Sequence, residues 1–452
     1  MSVLNLDKPL EYEVTHVYDG VNISKKELNR LLDIACWNKC KPNFKAPGRV
    51  AWEPLEEEVS LVDNPAYKFI AAKLKGVGLF NPPSDKKFSG IISKDYSVEP
   101  SYPTTTTWDD LITYPHFGIA DDGSYKFAYS HPSPVGGILH ERAIVEYNVA
   151  KNMLEAGIPT IIPLAVIKYN DDFTFNGKPM GAVITLSVSA SHLRASQALY
   201  STAILRGTDQ ESDAYYDDML ATLGVDGDPT DEVTRLQVVN KIAGRLGKLI
   251  HQFSMKGFYR YSSEWSNFQY SAETDELLFI DLDSSRSMEA DNLPQFRRSL
   301  EAIRDLATVV YRSTAKMAYP TIIDKYTLNN VLKFNPILQI LTNYFPEAAV
   351  EELEVVSKRL YNSFIPHWFQ LKRYKKEIGN VEWDRERRKT YKMEHDLFYI
   401  LIITSLFPFF RESDIGQKYG DCPSDELLMQ RAKDYLGDRY EYFVYLMNGG
   451  QL

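Results

Sequence analysis

The stretch at 232–256, EVTRLQVVNKIAGRLGKLIHQFSMK, constrains this chain more than any other. Val233, Leu236, Val239, Ile242, Leu246, Leu249, Ile250 and Phe253 recur at helical spacing, so one face of a long helix must be buried against other elements. Gly257 stops it. Directly after comes GFYRYSSEWSNFQYSAETDELLFIDLDSSR, 257–286. It reads as a loop holding an asparagine, a second loop, a short apolar strand and two aspartates one residue apart. A core helix feeding a loop and a strand that ends in acids calls for mixed helix and sheet, with polar chemistry at the strand's end.

The rest of the chain supplies the sheet. Strands are expected in YKFIAAKLKGVGLF, which ends in a glycine-bearing turn, in TIIPLAVIKYN and in PMGAVITLSVS. SKKELNRLLDIAC reads as a helix with Ser24 as its N-cap. In ILHERAIVEYNVAKNMLEAG, from 138, Ile144, Tyr147, Val149, Met153 and Leu154 mark a helix that Gly157 ends. SASHLRASQALYSTAILR reads as helical, 208–231 as an acidic loop, and 292–452 as almost wholly helical. Region 81–135 (NPPSDKKFSG, EPSYPTTTTWDD, SHPSPVGG) is rich in loop formers and looks inserted. At 452 residues the chain is too long for one simple core. The element order predicts an α+β, two-lobed protein-kinase-like fold with a mostly helical C-terminal extension. The expected divisions are an N-terminal lobe over 1–187 carrying the insertion, a C-terminal lobe over 188–330 with the metal and catalytic loop, and the helical extension over 331–452.

Charge and cysteine content narrow the partners. A net charge of −10 argues against general binding to nucleic acid or anionic membranes. The basic stretch 371–392 reads as a solvated helix face. Cys36, Cys40 and Cys422 are too few for a disulfide framework and suggest a reducing compartment. Cys36 and Cys40 lie one helical turn apart, but with no second Cys/His pair they read as structural thiols. The N-terminus has neither the basic start nor the apolar run of a signal peptide. The apolar run 397–410 is short for a membrane span and contains Pro408, so a buried helix is expected. A cytoplasmic protein is expected.

The candidate chemistry begins with Asn267 and Asp281. An Asn followed by a strand-borne Asp is how kinase-like enzymes hold magnesium under a nucleotide. Asp281 follows LLFI, where a carboxylate is costly unless it meets a cation; Asp283 is either a second ligand or the start of a turn. Lys75, at a strand end beside a glycine-rich turn, is placed to reach phosphates, or is a surface lysine. Glu146, on the 138 helix, is placed to pair with it or to face solvent. Arg194 lies near a helix start, where a cation does not help the dipole. His192 is a candidate base by residue type alone and fits a polar helix start better.

Together these pieces resemble the selenoprotein O family, kinase-fold enzymes that transfer AMP from ATP to protein hydroxyls. LKGVG (74–78) resembles the family's LKGAG, and YSHPSPVGG its YSR and GDG. AIVEYNVAKNMLEAGIPT (143–160) resembles its IREY, AM and LGIPT helix, SASHLRASQ its PSHIRFG, KGFYRYSSEWSNF its HGVMNTDNM and LLFIDLDSS its LTIDYGP. The resemblance covers about 74–284 and implies Lys75 as the nucleotide lysine, Glu146 as its partner and Arg194 as a phosphate arginine. It also implies Asn267 and Asp281 as ligands of Mg²⁺ or Mn²⁺, and ATP as the nucleotide.

The departures are specific. Ser266 stands where the family has the Asp thought to act as base, Ser187 where it has a second phosphate arginine, and Arg260 replaces the loop His. No GHQFG-type glycine motif precedes Lys75, and Cys422 has the wrong surroundings for the family's redox cysteine. Base loss costs on the order of 10²- to 10⁴-fold, so a missing Asp does not end catalysis. Glu264 is placed to stand in, and an already ionised acceptor needs no base. The expectation is an adenylyltransferase acting on a protein or small molecule, with a kinase-type phosphotransferase or a catalytically inactive scaffold as alternatives.

Overall fold

The computed structural model describes residues 10–37, 39, 50–78, 115–129, 137–170, 173–175, 177–199, 207, 210–260, 263–322, 326–378 and 385–449. Cys40 and, of the expected insertion, 81–114 and 130–135 lie outside the described residues. The protein is mixed α/β with an antiparallel sheet. It divides into two compact units: 1–113, 131–192 and 278–285 in the first, and 114–130, 193–277 and 286–452 in the second.

The first unit is built on the sheet. Its strands are β1 (Tyr12–Val17), β2 (Val21–Asn22), β3 (Val50–Leu61), β4 (Lys68–Lys75), β5 (Ile138–Leu139), β6 (Ile162–Tyr169), β7 (Thr174–Phe175) and β8 (Lys178–Ser187). Their order is β1-β6-β8-β4-β3-β2, with β5 and β7 also pairing with β8. Strand alternation divides the side chains between two faces. On one face Ala72, Leu74, Ile184, Leu186 and Ile167 pack with Leu31 of α1 (Lys25–Ile34), Trp37 and Phe173. Ser24 caps α1 as expected, its hydroxyl accepting from the Glu27 N–H at 3.0 Å. On the other face Val166 and Val183 pack with Ile138 and with Ala143 and Tyr147 of α2 (His140–Glu155). The helix expected from 138 thus begins two residues later, because Ile138 and Leu139 pair with β8 instead. Gly157 ends the run with φ of +72°.

The second unit is mainly helical. The acidic stretch expected as a loop contains a helix, α3 (Gln210–Leu223), held by buried Tyr215, Tyr216, Met219, Leu220 and Leu223. The helix expected over 189–206 is, in its described part, only a 3₁₀ turn, Ala195–Ala198. Helix α4 (Glu232–Met255) matches the amphipathic stretch, and Asp231 caps it by accepting from the Val233 and Thr234 N–H groups at 2.8 and 3.1 Å. Seven of its eight expected face residues are buried; Val233, in the first turn, is 41% exposed.

Beyond it come α5 (Gln295–Ile322), α6 (Leu328–Phe334), α7 (Pro336–Tyr344), α8 (Val350–Ile378), α9 (Arg385–Glu412), α10 (Asp414–Tyr419), α11 (Asp425–Leu436) and α12 (Tyr440–Met447). Within α9, Lys392–Glu412 is long and apolar enough to cross a membrane, but it is mostly buried in the second unit. Leu397, Ile400, Leu406 and Phe410 are among its fully enclosed side chains. Residues 331–452, expected as a helical extension, are grouped with 193–277 in the second unit. The hairpin of Pro115–Ile119 with Tyr125–Tyr129, expected within the N-terminal lobe's insertion, also belongs to the second unit. Its Phe117 packs against Tyr399 and Tyr435.

Candidate functional site

β4 ends at Lys75, and the chain then turns through Gly76 and Gly78 at φ of +99° and +127°. Such backbone favours glycine. A Cβ on Gly76 would also lie 2.5 Å from Ile138 Cγ2 and 2.7 Å from the Gly181 carbonyl oxygen. Space and conformation both demand glycine there.

Period-two alternation puts Lys73 and Lys75 on one face of β4, and α2 covers that face with Glu146. Each carboxylate oxygen of Glu146 meets a different lysine: Oε1 lies 3.0 Å from Lys73 Nζ and Oε2 2.6 Å from Lys75 Nζ. The three side chains are 2%, 1% and 0% exposed. Charges this far from water persist only when paired.

The aspartates come from far along the sequence. The Phe279 N–H donates to the Pro159 carbonyl and the Ile161 N–H to the Phe279 carbonyl, both at 3.1 Å. Leu278 joins the apolar core of the first unit. These contacts fix the end of the strand Glu276–Phe279. Asp281 then takes a left-handed conformation, φ 62° and ψ 60°, which Asp tolerates better than most residues. Its carboxylate lies 2.5 Å from Lys75 Nζ. Asp283, in the 3₁₀ turn Leu282–Ser284, lies 3.3 Å from the same ammonium, and its carbonyl accepts from Arg142 of α2 at 3.1 Å. Glu146, Asp281 and Asp283 offer carboxylate oxygens that all lie within 4.8 Å of one another. Among the described residues, the ammonium groups of Lys73 and Lys75 thus face these three carboxylates, with the Arg142 guanidinium at the Asp283 backbone.

The other sequence candidates belong to the second unit and form a cluster of their own. The loop of 263–267 is anchored by Trp265, whose buried indole N–H donates to Ser313 Oγ at 2.6 Å. Glu264 forms an ion pair with Arg312 at 3.0 Å, and Ser266 Oγ stands 3.5 Å from its other oxygen. The Asn267 N–H donates to the Glu264 carbonyl at 2.8 Å. Arg194 donates to the Ser266 carbonyl. Behind the loop, the Arg260 N–H donates to Asp305 Oδ2 of α5 at 3.0 Å. Asp305 is wholly buried, and that burial pushes its pKa up to about 8 against the opposing pull of Arg304.

The structure therefore brings Lys75, Glu146, Asp281 and Asp283 together in one unit and Glu264, Ser266 and Arg194 together in the other. Ser187, the last residue of β8, accepts from the Ser189 N–H at 3.1 Å, and His192 is half-buried in the loop before the 3₁₀ turn. Cys36 is buried against the Leu10 carbonyl, and burial pushes its thiol up. The sequence reading missed Lys73, Arg142 and Arg312. Only Lys73 had a signal: it stands two residues before Lys75 in a strand otherwise apolar at its end. No protein-family model matches the sequence, and no curated protein matches it significantly.

Proposed function

We propose that the protein is an ATP-dependent nucleotidyltransferase on a two-lobed, kinase-like fold, similar to selenoprotein O, moving AMP from ATP to a protein or small-molecule acceptor. The observation that carries this reading is the buried Lys75–Glu146 pair with Asp281 against the same lysine. In protein kinases a sheet lysine paired to a helix glutamate sets the phosphates, and a strand-borne aspartate holds the metal. The element order supports the same reading: an antiparallel sheet strand bearing Lys75, a following helix bearing Glu146, and a later strand ending before Asp281.

The residues fit a divalent ion. Magnesium and manganese take hard oxygen donors, and the three carboxylates already gather round a cation, the Lys75 ammonium. Bound there, the ion would neutralise charge on the phosphates. Lys75 would then turn its ammonium from these carboxylates to phosphate. Asn267 is assigned to the same metal by the resemblance alone. Glu264 is engaged by Arg312, which makes it a poor replacement for the missing base. The reading accordingly favours an acceptor that arrives already ionised, such as a carboxylate or phosphate.

Paired labelling tests the proposal. The purified chain is incubated with Mg²⁺ or Mn²⁺ and α- or γ-labelled ATP, with and without cell extract, beside Asp281→Ala. Label from the α position that is lost in the variant is expected. Label from the γ position alone would replace AMP transfer by phosphate transfer. Absence of label from either would leave an inactive scaffold.

A further inference from the structure

Lys73 is the feature of the site that the proposed chemistry does not use. It is buried, it lies on the same face as Lys75, and it occupies one oxygen of Glu146 while Lys75 occupies the other. Lys75 is meanwhile drawn to Asp281 and Asp283 as well. A glutamate that had Lys75 as its sole cation would hold that lysine firmly, because releasing it would strand a buried carboxylate. With two lysines, Glu146 keeps a counter-ion whichever way Lys75 turns.

We infer that Lys73 is a positioning residue: it is the standing counter-ion of Glu146, and it frees Lys75 to exchange the carboxylates for the phosphates of a metal–nucleotide ligand. The neighbouring strands favour this division of labour. Lys73 stands opposite Trp52 on β3 and Thr185 on β8, inside the sheet, whereas Lys75 is the last residue of β4, opposite Val50 and Val183. Lys73 is thus walled in, and Lys75 is at the strand's end next to the glycine turn. The charges on Glu146 point the same way. Without Lys73, Lys75 could leave Glu146 only at the cost of a bare buried carboxylate.

This inference rests on the nucleotide reading above, and a double-mutant cycle on Mg·ATP binding separates the two. Binding is measured by calorimetric titration of the full chain for wild type, Lys73→Met, Glu146→Gln, Lys73→Met/Glu146→Gln and Lys73→Arg. Melting curves check that each is folded. Lys73→Met is expected to weaken binding about tenfold or more, a coupling of the size seen for buried contacting charges. Adding Glu146→Gln should recover a large part of that loss, because a neutral amide no longer holds Lys75. Lys73→Arg should restore binding, since it restores the counter-ion. A merely structural Lys73 would give no such recovery.

Should Lys73→Met fail to fold, the comparison of Lys73→Met/Glu146→Gln with Glu146→Gln still decides. Equal affinity supports the inference, because the Glu146 charge that Lys73 balances is then already gone; a further loss overturns it. Wild-type affinity in a folded Lys73→Met would overturn this inference alone. No Mg·ATP binding by the wild type would overturn it together with the nucleotide reading.

Discussion

Glu146 shows how much can hang on one side chain. It is fully enclosed, and it compensates two ammonium groups that are almost as deeply buried. Removing one partner of a buried ion pair typically costs about 3–5 kcal/mol, because the remaining charge is left uncompensated. Glu146→Ala should therefore lower the unfolding free energy of the first unit by about that amount, read from urea denaturation. Glu58→Ala, at the exposed pair with Lys68, should leave the same curve almost unmoved. At this scale the sequence was informative where a residue's type conflicted with its surroundings. An aspartate after LLFI, and a lysine ending an apolar strand beside KGVG, both raise the question of a partner. The partners themselves are set by contacts between residues far apart in sequence. Glu146 was therefore equally consistent with a surface position, and Lys73 passed unnoticed.

Among the elements, α4 carries the clearest signal and a testable contrast. It holds two glycines in its interior, Gly244 and Gly247, and in an unconstrained helix alanine would be favoured at either by about 1 kcal/mol. A Cβ at Gly244 meets only the end of a flexible side chain, Asn343 Nδ2 at 3.3 Å. A Cβ at Gly247 would lie 2.3 Å from the Ile340 carbonyl oxygen on α7, and backbone cannot swing aside. Overpacking of this kind costs about 1–3 kcal/mol and exceeds the propensity gain. Gly244→Ala should raise the melting temperature slightly or leave it unchanged, and Gly247→Ala should lower it by several degrees; equal shifts would contradict the close approach. Asp231→Ala, removing the cap, should cost about 1 kcal/mol. The sequence misled at α3, where Tyr215, Tyr216, Met219, Leu220 and Leu223 carry helical spacing but the acidic residues suggested a loop. It misled in the opposite sense at 195–198, where helix-forming residues make only a 3₁₀ turn.

At the level of the whole molecule, the chain leaves the first unit after 192 and returns to it for 278–285 alone, delivering Asp281 and Asp283 to Lys75. No local pattern announces such a return; the sequence placed the aspartates correctly beside a strand but assigned that strand to the other lobe. The second unit, with most of the helices, contains two buried titratable groups whose effects on stability oppose each other. Burial pushes Asp305 from 3.8 up to about 8. It pushes His367, stacked on Phe398 and Tyr442, from 6.5 down to about 4.

The signs follow from which state holds the proton. Between about 4 and 8 the folded chain keeps a proton on Asp305 that the unfolded chain has released, so this group's contribution to stability falls as pH rises. Between about 4 and 6.5 the unfolded chain holds a proton on His367 that the folded chain refuses, so this contribution rises with pH. These two slopes offset each other between about 4 and 6.5, and above that only the Asp305 slope of the two continues. The wild-type minus Asp305→Asn difference in urea unfolding free energy should therefore decline steadily up to about pH 8 and then level off. The corresponding difference for His367→Leu should climb to about 6.5 and then stay flat. Asparagine can still accept the Arg260 N–H, so the first comparison reports the proton and not the loss of the loop's anchor. A difference for Asp305→Asn that does not change between pH 6.5 and 8 would mean that Asp305 is ionised in the folded protein, stabilised by Arg304 and Arg260.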